Sequence, residues 1–282
     1  MTTLSTAKQE ADQINLSRHH LNDRQITSSA YRLAYDDLDF MMRQELRPIR
    51  LQLELLKPEL ALSEHGIEST VVIFGSARIL STEASAEQLV RAESQNPQAH
   101  QAREYAKKTA ERSRYYEQSR HLSRLITEAN LKKENPVVVV TGGGGGIMEG
   151  ANRGASDVGG KSIGLNIVLP HEQLPNPFVT PELCFQFHYF AIRKMHLLMR
   201  AKALVVFPGG FGTLDELFEA LTLIQTKKMN VIPIILFDKN YWQRLINFEM
   251  LVEEEMISQE DLTLLEYAET AQEVWDKIRD FL

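Results

Sequence analysis

Short apolar runs alternate with longer amphipathic stretches along most of the chain. The runs are nearly continuous in Val, Ile and Leu, which is typical of strands buried on both faces of a parallel sheet. The stretches between them carry the apolar spacing of helices. This alternation predicts an α/β fold, a doubly wound, mostly parallel, Rossmann-like sheet with helices on both faces. The runs are "STVVIFG", "VVVVT", "SIGLNIVLP", "LCFQFHYF", "ALVVF" and "VIPIILFD".

The N-terminal region lacks these apolar runs and is expected to form a separate part. Residues 1 to about 25 are polar and are expected to be flexible. The helical pattern that follows contains Pro48 and Pro58, which should break or kink it. We therefore predict an N-terminal helical extension over 1–66 and a Rossmann-like domain over 67–282.

Three segments of the second part do not read as buried strands. Residues 81–97 are polar and predict a loop, whereas 101–130 predict one long amphipathic helix. Near the C-terminus, "LTLLEYA" leaves a short strand open as an alternative to helix.

Composition and charge narrow the classes of function. The chain has 282 residues, 43% of them hydrophobic, which is enough for one large core. Cys184 is the single cysteine, so no internal disulfide can form and a cytoplasmic location is expected. The N-terminus carries no apolar segment of the signal-peptide kind, and no run is long enough to span a membrane. A net charge of −7 argues against a nucleic-acid surface but allows one small anion to be held locally.

Glycine-bearing turns follow three of the predicted strands. Such a turn at the start of a helix offers backbone N–H groups to an anion, and the helix dipole favours negative charge there. A single turn is explained equally well by tight strand-to-helix packing. Three turns at one edge of a parallel sheet favour phosphate binding. The candidate residues are Gly75 and Ser76 in "FGSAR", Gly143, Gly144 and Gly145 in "TGGGGGIMEG", and Gly209, Gly210 and Gly212 in "PGGFGTLDE".

Other ligand motifs fit less well. "TGGGGGIMEG" does not satisfy G-x-G-x-x-G, because Ile147 stands where the last glycine should be. "GASDVGGKS" resembles a P-loop but has one residue too many and precedes a strand instead of a helix. No H-E-x-x-H or cysteine-rich spacing suggests a metal site.

Glu216 has two interpretations. Thr213 and Glu216 have the T-x-x-E spacing of a capping box, in which the carboxylate only closes the start of a helix. Alternatively, Glu216 faces the ligand, stays ionised beside the helix N-terminus, and stabilises a cationic sugar-like transition state or orients a water.

Arg193 and Lys194 lie at the start of the helix predicted over "AIRKMHLLMRAK". Ile192, Met195 and Met199 share one face of it by spacing and are expected in the core. Because cations oppose the dipole at a helix N-terminus, an anion-binding role explains Arg193 and Lys194 better than a solvated surface does.

"PGGFGTLDE" together with "RKMHLLM" resembles the paired P-G-G-x-G-T-x-x-E and R-K-x-x-M motifs of the LOG (Lonely Guy) family. These proteins are cytokinin riboside 5′-monophosphate phosphoribohydrolases, often labelled "lysine decarboxylase-like". "TGGGGGIMEGAN", "FGSAR" and "LPHEQLPN" are similar to segments of the longer bacterial members. The resemblance covers about 67–260, whereas the N-terminal region and the helix at 101–130 depart from the compact plant-type members.

The resemblance implies a nucleotide-binding catalytic domain that splits nucleoside 5′-monophosphates into base and ribose 5-phosphate. It also implies a homodimer or larger assembly, for which we expect the helices around 101–130 and 191–201 to be used. No metal or organic cofactor is implied, and the sequence isolates no lysine for pyridoxal phosphate. No nucleic-acid or membrane partner is expected. By motif match, Gly209, Gly210, Gly212 and Thr213 would hold the phosphate, Arg193 and Glu216 would be catalytic, and Lys194, Glu172 and Thr222 would contact substrate.

Two alternatives stay open. Molybdenum-cofactor carriers share the general fold and hold a phosphate-bearing pterin without chemistry. The second alternative is a nucleosidase that acts on other nucleotides. It stays open because base contacts are mostly apolar, so the sequence does not select among bases.

Overall fold

The computed structural model describes residues 23–95, 100–170 and 174–282. The chain divides into two compact units, Met1–Leu53 and Glu54–Leu282. The boundary falls inside one helix, α3 (Arg47–Glu64).

The described part of the first unit is helical but is not one long helix. It contains α1 (Asp23–Ile26), α2 (Leu38–Met41) and short 3-10 turns before α3 begins. The Asp37 side chain caps α2 by accepting a hydrogen bond from the N–H of Phe40 at 3.1 Å. Local capping thus divides the helical pattern into short pieces.

The two prolines do not interrupt α3 as expected. Pro48 lies in the first turn, where its missing N–H has no intrahelical partner to lose. Pro58 is buried inside the helix, which continues to Glu64. The predicted break at Pro58 was wrong, because the helix continues past it, whereas Pro48 stands where α3 begins.

The second unit contains a seven-stranded sheet in the order β4-β3-β2-β1-β5-β6-β7, with every neighbouring pair parallel. The predicted doubly wound, Rossmann-like α/β fold is confirmed, and "LTLLEYA" supplies the last strand. The strands are β1 (Ser69–Phe74), β2 (Val137–Thr141), β3 (Ser162–Ile167), β4 (Cys184–Phe187), β5 (Ala201–Val206), β6 (Ile234–Phe237) and β7 (Leu265–Ala268).

Helices connect the strands. They are α4 (Thr82–Gln95), α5 (His100–Asn130), α6 (Ile147–Ser156), α7 (Phe190–Met199), α8 (Phe211–Gln225), α9 (Lys239–Leu245), α10 (Phe248–Glu253) and α11 (Ala271–Ile278). The loop predicted over 81–97 was wrong, because α4 occupies most of it. Its Ala, Glu and Gln residues are strong helix formers, and most of its described side chains are exposed, which explains the polar composition.

Alternate residues of the central strands feed two cores, one on each face of the sheet. Val71 and Ile73 of β1 pack in one cluster with buried residues of α5, α6 and α11. Val72 and Phe74 pack in the other with residues of α7 and α8. The continuous apolar runs reflect burial on both faces. None of the helices in the described ranges has the length and apolarity needed to cross a membrane.

The strand order reverses between β1 and β5. Strands β2 to β4 lie on one side of β1, and β5 to β7 lie on the other. At the carboxyl ends the two connections leave in opposite directions and are joined where the N–H of Ser76 donates to the carbonyl of Pro208 at 3.0 Å. Ligands of open α/β sheets bind at such a switch point.

Helices α5 and α6 pack closely through small residues. A Cβ placed on Gly150 would lie 2.8 Å from the carbonyl oxygen of Tyr116 in α5, and one placed on Gly154 would overlap that of Arg120. Backbone atoms of a 31-residue helix cannot yield as a flexible side chain can.

We therefore expect Gly154→Ala to destabilise the protein by about 1–3 kcal/mol, although alanine is the better helix former. Ser156→Ala is the matched control, since Ser156 is exposed on the same helix and its change should stay within about 0.5 kcal/mol. Urea unfolding of both variants measures the difference. A Gly154→Ala protein as stable as the control would mean that the helices can separate freely.

Candidate active site

A cleft of about 690 Å³ opens at the switch point. The turns after β1 and β5, the first turns of α8 and the side chain of Arg193 from α7 line it. Of the residues predicted from the sequence, it brings together Gly75, Ser76, Arg193, Gly209, Gly210, Gly212, Thr213 and Glu216.

Helix α8 begins at the cleft without a side-chain cap. Gly210 is the N-cap residue, and among the described residues no side chain caps the helix. Thr213 is therefore the third residue of the helix rather than its cap, and the capping-box interpretation of Glu216 was wrong. The uncapped N-terminus leaves its backbone donors available to an anion.

The three glycines of this turn are needed for different physical reasons. A Cβ on Gly209 would overlap the side chain of Thr213, so the fold itself requires glycine there. A Cβ on Gly210 or Gly212 would meet open space. At those two positions the absence of a side chain keeps the cleft open instead of relieving a contact.

Tyr241 fixes the orientation of the turn. Its hydroxyl donates to the carbonyl of Gly209 at 2.7 Å. The described peptide bonds are all trans, so the N–H of Gly210 points away from the carbonyl that Tyr241 holds.

Glu216 and Arg193 form a buried pair in the wall of the cleft. The Oε1 atom of Glu216 lies 3.6 Å from Nη1 of Arg193, and their side chains are 4% and 12% exposed. The other carboxylate oxygen, Oε2, is buried without a hydrogen-bond partner among the described residues. Glu216 therefore brings a buried acceptor without a described partner to the wall of the cleft.

Burial raises the pKa of Glu216 to about 7, against the opposing attraction of Arg193 and Lys194. Burial likewise lowers the pKa of Arg193, against the attraction of Glu216 and Asp215. The expectation that the helix N-terminus keeps Glu216 fully ionised was wrong, because the loss of hydration outweighs the neighbouring positive charges. Burial therefore brings the titration of this carboxyl group towards the neutral pH range.

The second glycine turn holds Arg193. The Nε atom of Arg193 donates to the carbonyl of Leu165 at 2.7 Å, and its guanidinium lies where a Cβ on Gly142 would stand. The amide of Asn176 donates to the carbonyls of Gly143 at 3.1 Å and Gly144 at 2.9 Å. This turn therefore supports the arginine by close packing.

Some of the predicted site residues lie outside the cleft lining. Gly143 and Gly144 are buried in the second turn, and Gly145 is half-buried there. Lys194 forms ion pairs with Asp215 at 3.0 Å and Glu219 at 3.1 Å.

The remaining predicted contact residues are not brought to the cleft either. The hydroxyl of Thr222 donates to the carbonyl of Phe218 at 2.7 Å, farther along α8. Glu172 falls outside the described residues. Met195 and Met199, expected in the core, are 46% and 50% exposed, because only Ile192 of that set packs on the core cluster.

Sequence reasoning missed the apolar and basic rim. Met148, Phe190, Phe211 and Leu245 line the cleft, and Phe211 is 92% exposed. Arg78 also lines the cleft, and it could have been found from the sequence because it ends the motif "FGSAR". No sequence pattern marked the aromatic residues of the rim, because their exposure depends on how α7 and α8 are placed.

Comparison with known proteins places this site in context. The family model described as "Possible lysine decarboxylase" matches residues 148–278. The "Probable cytokinin riboside 5′-monophosphate phosphoribohydrolase LOGL3" of Oryza sativa subsp. japonica is 33% identical over 91 residues, which are 32% of this chain. The match spans 43% of the rice protein's length.

Two solved structures are similar to this chain over three quarters of its length. The structural-genomics target TM1055 has a TM-score of 0.45 at 19% identity, over 75% of this chain and 99% of that one. The molybdenum cofactor binding protein from the phototrophic bacterium Rippkaea orientalis has a TM-score of 0.44 at 18% identity. That match covers 75% of this chain and 94% of the bacterial protein. Neither likeness informs the chemistry of the cleft.

The family match begins at the cleft residue Met148 and includes the whole of P-G-G-x-G-T-x-x-E. It also includes Arg193 and Lys194, but Leu197 stands where R-K-x-x-M has its methionine. The motifs and the two sequence matches agree, and they show a likeness to the LOG family that the family model confines to residues 148–278.

Proposed function

We propose that this chain hydrolyses the N-glycosidic bond of nucleoside 5′-monophosphates, AMP or N6-substituted cytokinin-type nucleotides, and releases the base and ribose 5-phosphate. The observation that carries the proposal is one cleft holding both an uncapped helix N-terminus and a buried, half-satisfied carboxyl group, Glu216. The rice relative's name supports the same reaction class.

The phosphate end of the substrate would lie at the start of α8. The N–H groups after Gly210 have no side-chain partner there, and the helix dipole adds favourable charge. Ser76 and Arg78 line the opposite wall and supply further donors. Binding the phosphate away from the scissile bond fixes the position of the ribose.

The ribose would then face Glu216. Cleavage breaks the bond between the anomeric carbon and the base nitrogen, and a water oxygen forms the new bond to that carbon. Positive charge develops on the ribose as the bond breaks, and the ionised Glu216 stabilises it. The departing base nitrogen accepts a proton, which is balanced by the proton released from the attacking water.

Arg193 keeps this carboxyl group in place and ionisable. Its positive charge opposes the effect of burial on the pKa of Glu216, while its Nε atom remains bonded to Leu165. A carboxyl group buried to the same degree without the arginine would remain protonated over a wider pH range.

The base would contact the apolar rim. Phe190 is 52% exposed and Phe211 is 92% exposed beside the cleft, and aromatic rings offer a flat surface to a purine. Contacts of this kind accept more than one base, so the choice of base and a role in cytokinin production belong to the proposal.

Lysine decarboxylation does not fit the cleft. Pyridoxal phosphate requires a lysine to form its Schiff base, and no lysine is among the described residues that line this cavity. Lys194, the nearest in sequence to Arg193, is held by two carboxylates of α8.

A cytoplasmic location and a homodimer or larger assembly stay predictions. The exposed Met195 and Met199 on α7 lie on one of the helices expected to form the contact between copies.

We predict that the protein cleaves AMP but leaves adenosine intact. Without the phosphate, the ribose loses the contact that places it against Glu216. Incubation of each compound with pure protein and chromatography of free adenine checks this. Equal cleavage of adenosine would contradict the assignment of α8 as a phosphate site, and cleavage of neither would favour the carrier function.

Glu216→Gln should lower kcat on AMP by roughly 10²-fold or more, because it removes the charge that stabilises the ribose cation. Glu219→Gln is the matched control, since Glu219 lies on the same helix outside the cleft. The control should turn over at close to the wild-type rate, and AMP binding should persist in both variants. Wild-type turnover by Glu216→Gln would remove this residue from the reaction.

Activity should rise with pH. Because the pKa of Glu216 in the free protein is about 7 and the ionised form is the active one, kcat/KM for AMP should increase through neutral pH and level off above it. The phosphate of AMP titrates near pH 6 on its own, so the residual activity of Glu216→Gln serves as the baseline. A wild-type profile that falls over this range would assign Glu216 as an acid.

A further inference from the structure

A second cavity, of about 530 Å³, lies on the other side of the glycine turn after β5. We call it the basic cavity, because Arg78, Arg112, Arg114 and Arg244 line it. Among the described residues, Asp238 is the one carboxylate that lines it with them. Four arginines around one concavity stand out in a chain whose net charge is −7.

The one carboxylate is already neutralised. Asp238 is 5% exposed and accepts a hydrogen bond from Nη2 of Arg114 at 2.9 Å and from the hydroxyl of Tyr115 at 2.5 Å. Its other oxygen accepts from the N–H of Tyr241 at the start of α9 at 2.9 Å. Asp238 therefore anchors Arg114 without cancelling the charge of the other arginines.

The other three guanidinium groups carry uncompensated charge. Within the described part of the chain, Arg78, Arg112 and Arg244 form no ion pair with a carboxylate. Elsewhere exposed arginines commonly have such partners, as Arg91 has Glu87 and Arg124 has Glu128. Unpaired like charges gathered on one cavity repel one another, and an anion relieves that repulsion.

The basic cavity is separate from the cleft that holds Glu216. Gly209 lines both, and its carbonyl is turned towards Tyr241, which lines the basic cavity and not the cleft. The partial negative charge of this carbonyl oxygen disfavours an anion at the point where the two cavities meet. The arrangement favours two anions bound apart over one chain of phosphates passing between the cavities.

We propose that the basic cavity is a second anion site, which binds a small molecule carrying a di- or polyphosphate group while the cleft holds its nucleotide. Guanidinium groups bind phosphate oxygens through two parallel hydrogen bonds, and arginines on several sides match a group with more than one phosphate. Helix α5 supplies Arg112 and Arg114, and α9 supplies Arg244. The proposal does not rest on hydrolysis in the cleft.

The cavity also has a physical link to the cleft. Tyr241 is part of its lining and holds the carbonyl of Gly209, and Ser76 and Arg78 line both cavities. Occupation of the basic cavity therefore stabilises the glycine turn on which the nucleotide phosphate depends, so the two ligands are expected to bind without excluding each other.

Calorimetric titration with inorganic pyrophosphate in metal-free buffer tests this site. The wild type should bind pyrophosphate, and the double variant Arg112→Gln, Arg244→Gln should bind it about tenfold or more weakly. The matched control is Arg91→Gln, Arg124→Gln, which removes the same charge from exposed positions outside the cavity. The control should stay within about twofold of the wild type, and saturating AMP should leave pyrophosphate binding in place.

Three results would overturn the proposal: no binding of pyrophosphate to the wild type, equal weakening in both double variants, or complete competition by AMP. The second would indicate a diffuse charge effect, and the third would place pyrophosphate in the cleft. If AMP itself fails to bind, the proposed nucleotide hydrolysis fails, while the comparison of the two double variants still decides the basic cavity.

Discussion

The parallel pairing of β1 with β5 at the centre of the sheet is the constraint on which the candidate site depends. Because the connections after these two strands leave in opposite directions, a cleft must open between them. The hydrogen bond from Ser76 to Pro208 holds the two turns together at its base. The uncapped start of α8 and two glycine turns from segments far apart in sequence thereby reach the same space as the buried carboxyl group of Glu216.

The Arg193–Glu216 pair follows from this placement and explains the electrostatics of the cleft. Both groups sit where the core meets the cleft, so each loses hydration and each is destabilised in its charged form. Their mutual attraction offsets part of that loss, and a bond to Leu165 and close packing on Gly142 hold the arginine. Glu216 is left with one free oxygen and a pKa near neutrality, which suits a group that must act on a cation as it forms.

The sequence was sufficient to predict features that depend on local pattern. Continuous Val and Ile runs identified the strands, and the motifs around Arg193 and Glu216 identified the two residues that pair in the wall of the cleft. Features that depend on tertiary placement were not predictable. Helix α4 was taken for a loop because its exposed surface lacks an apolar stripe, and the exposure of Met195 depends on what α7 packs against.

Two errors concern the same helix and have related causes. Thr213 and Glu216 have capping-box spacing with Thr213 as the N-cap, but Gly210 is the N-cap and the helix begins at Phe211, so the cap was misplaced by three residues. The ionisation of Glu216 was judged from its distance to that helix start, whereas burial against the sheet governs its pKa. Spacing in the sequence gives the neighbours of a carboxylate along the helix but not its hydration.

A crystal structure with ribose 5-phosphate bound tests the central claim most directly. The account predicts the phosphate within about 3 Å of the backbone nitrogens at the start of α8, with the anomeric carbon turned towards the free oxygen of Glu216. A phosphate bound instead in the basic cavity, or a ribose turned away from Glu216, would contradict it.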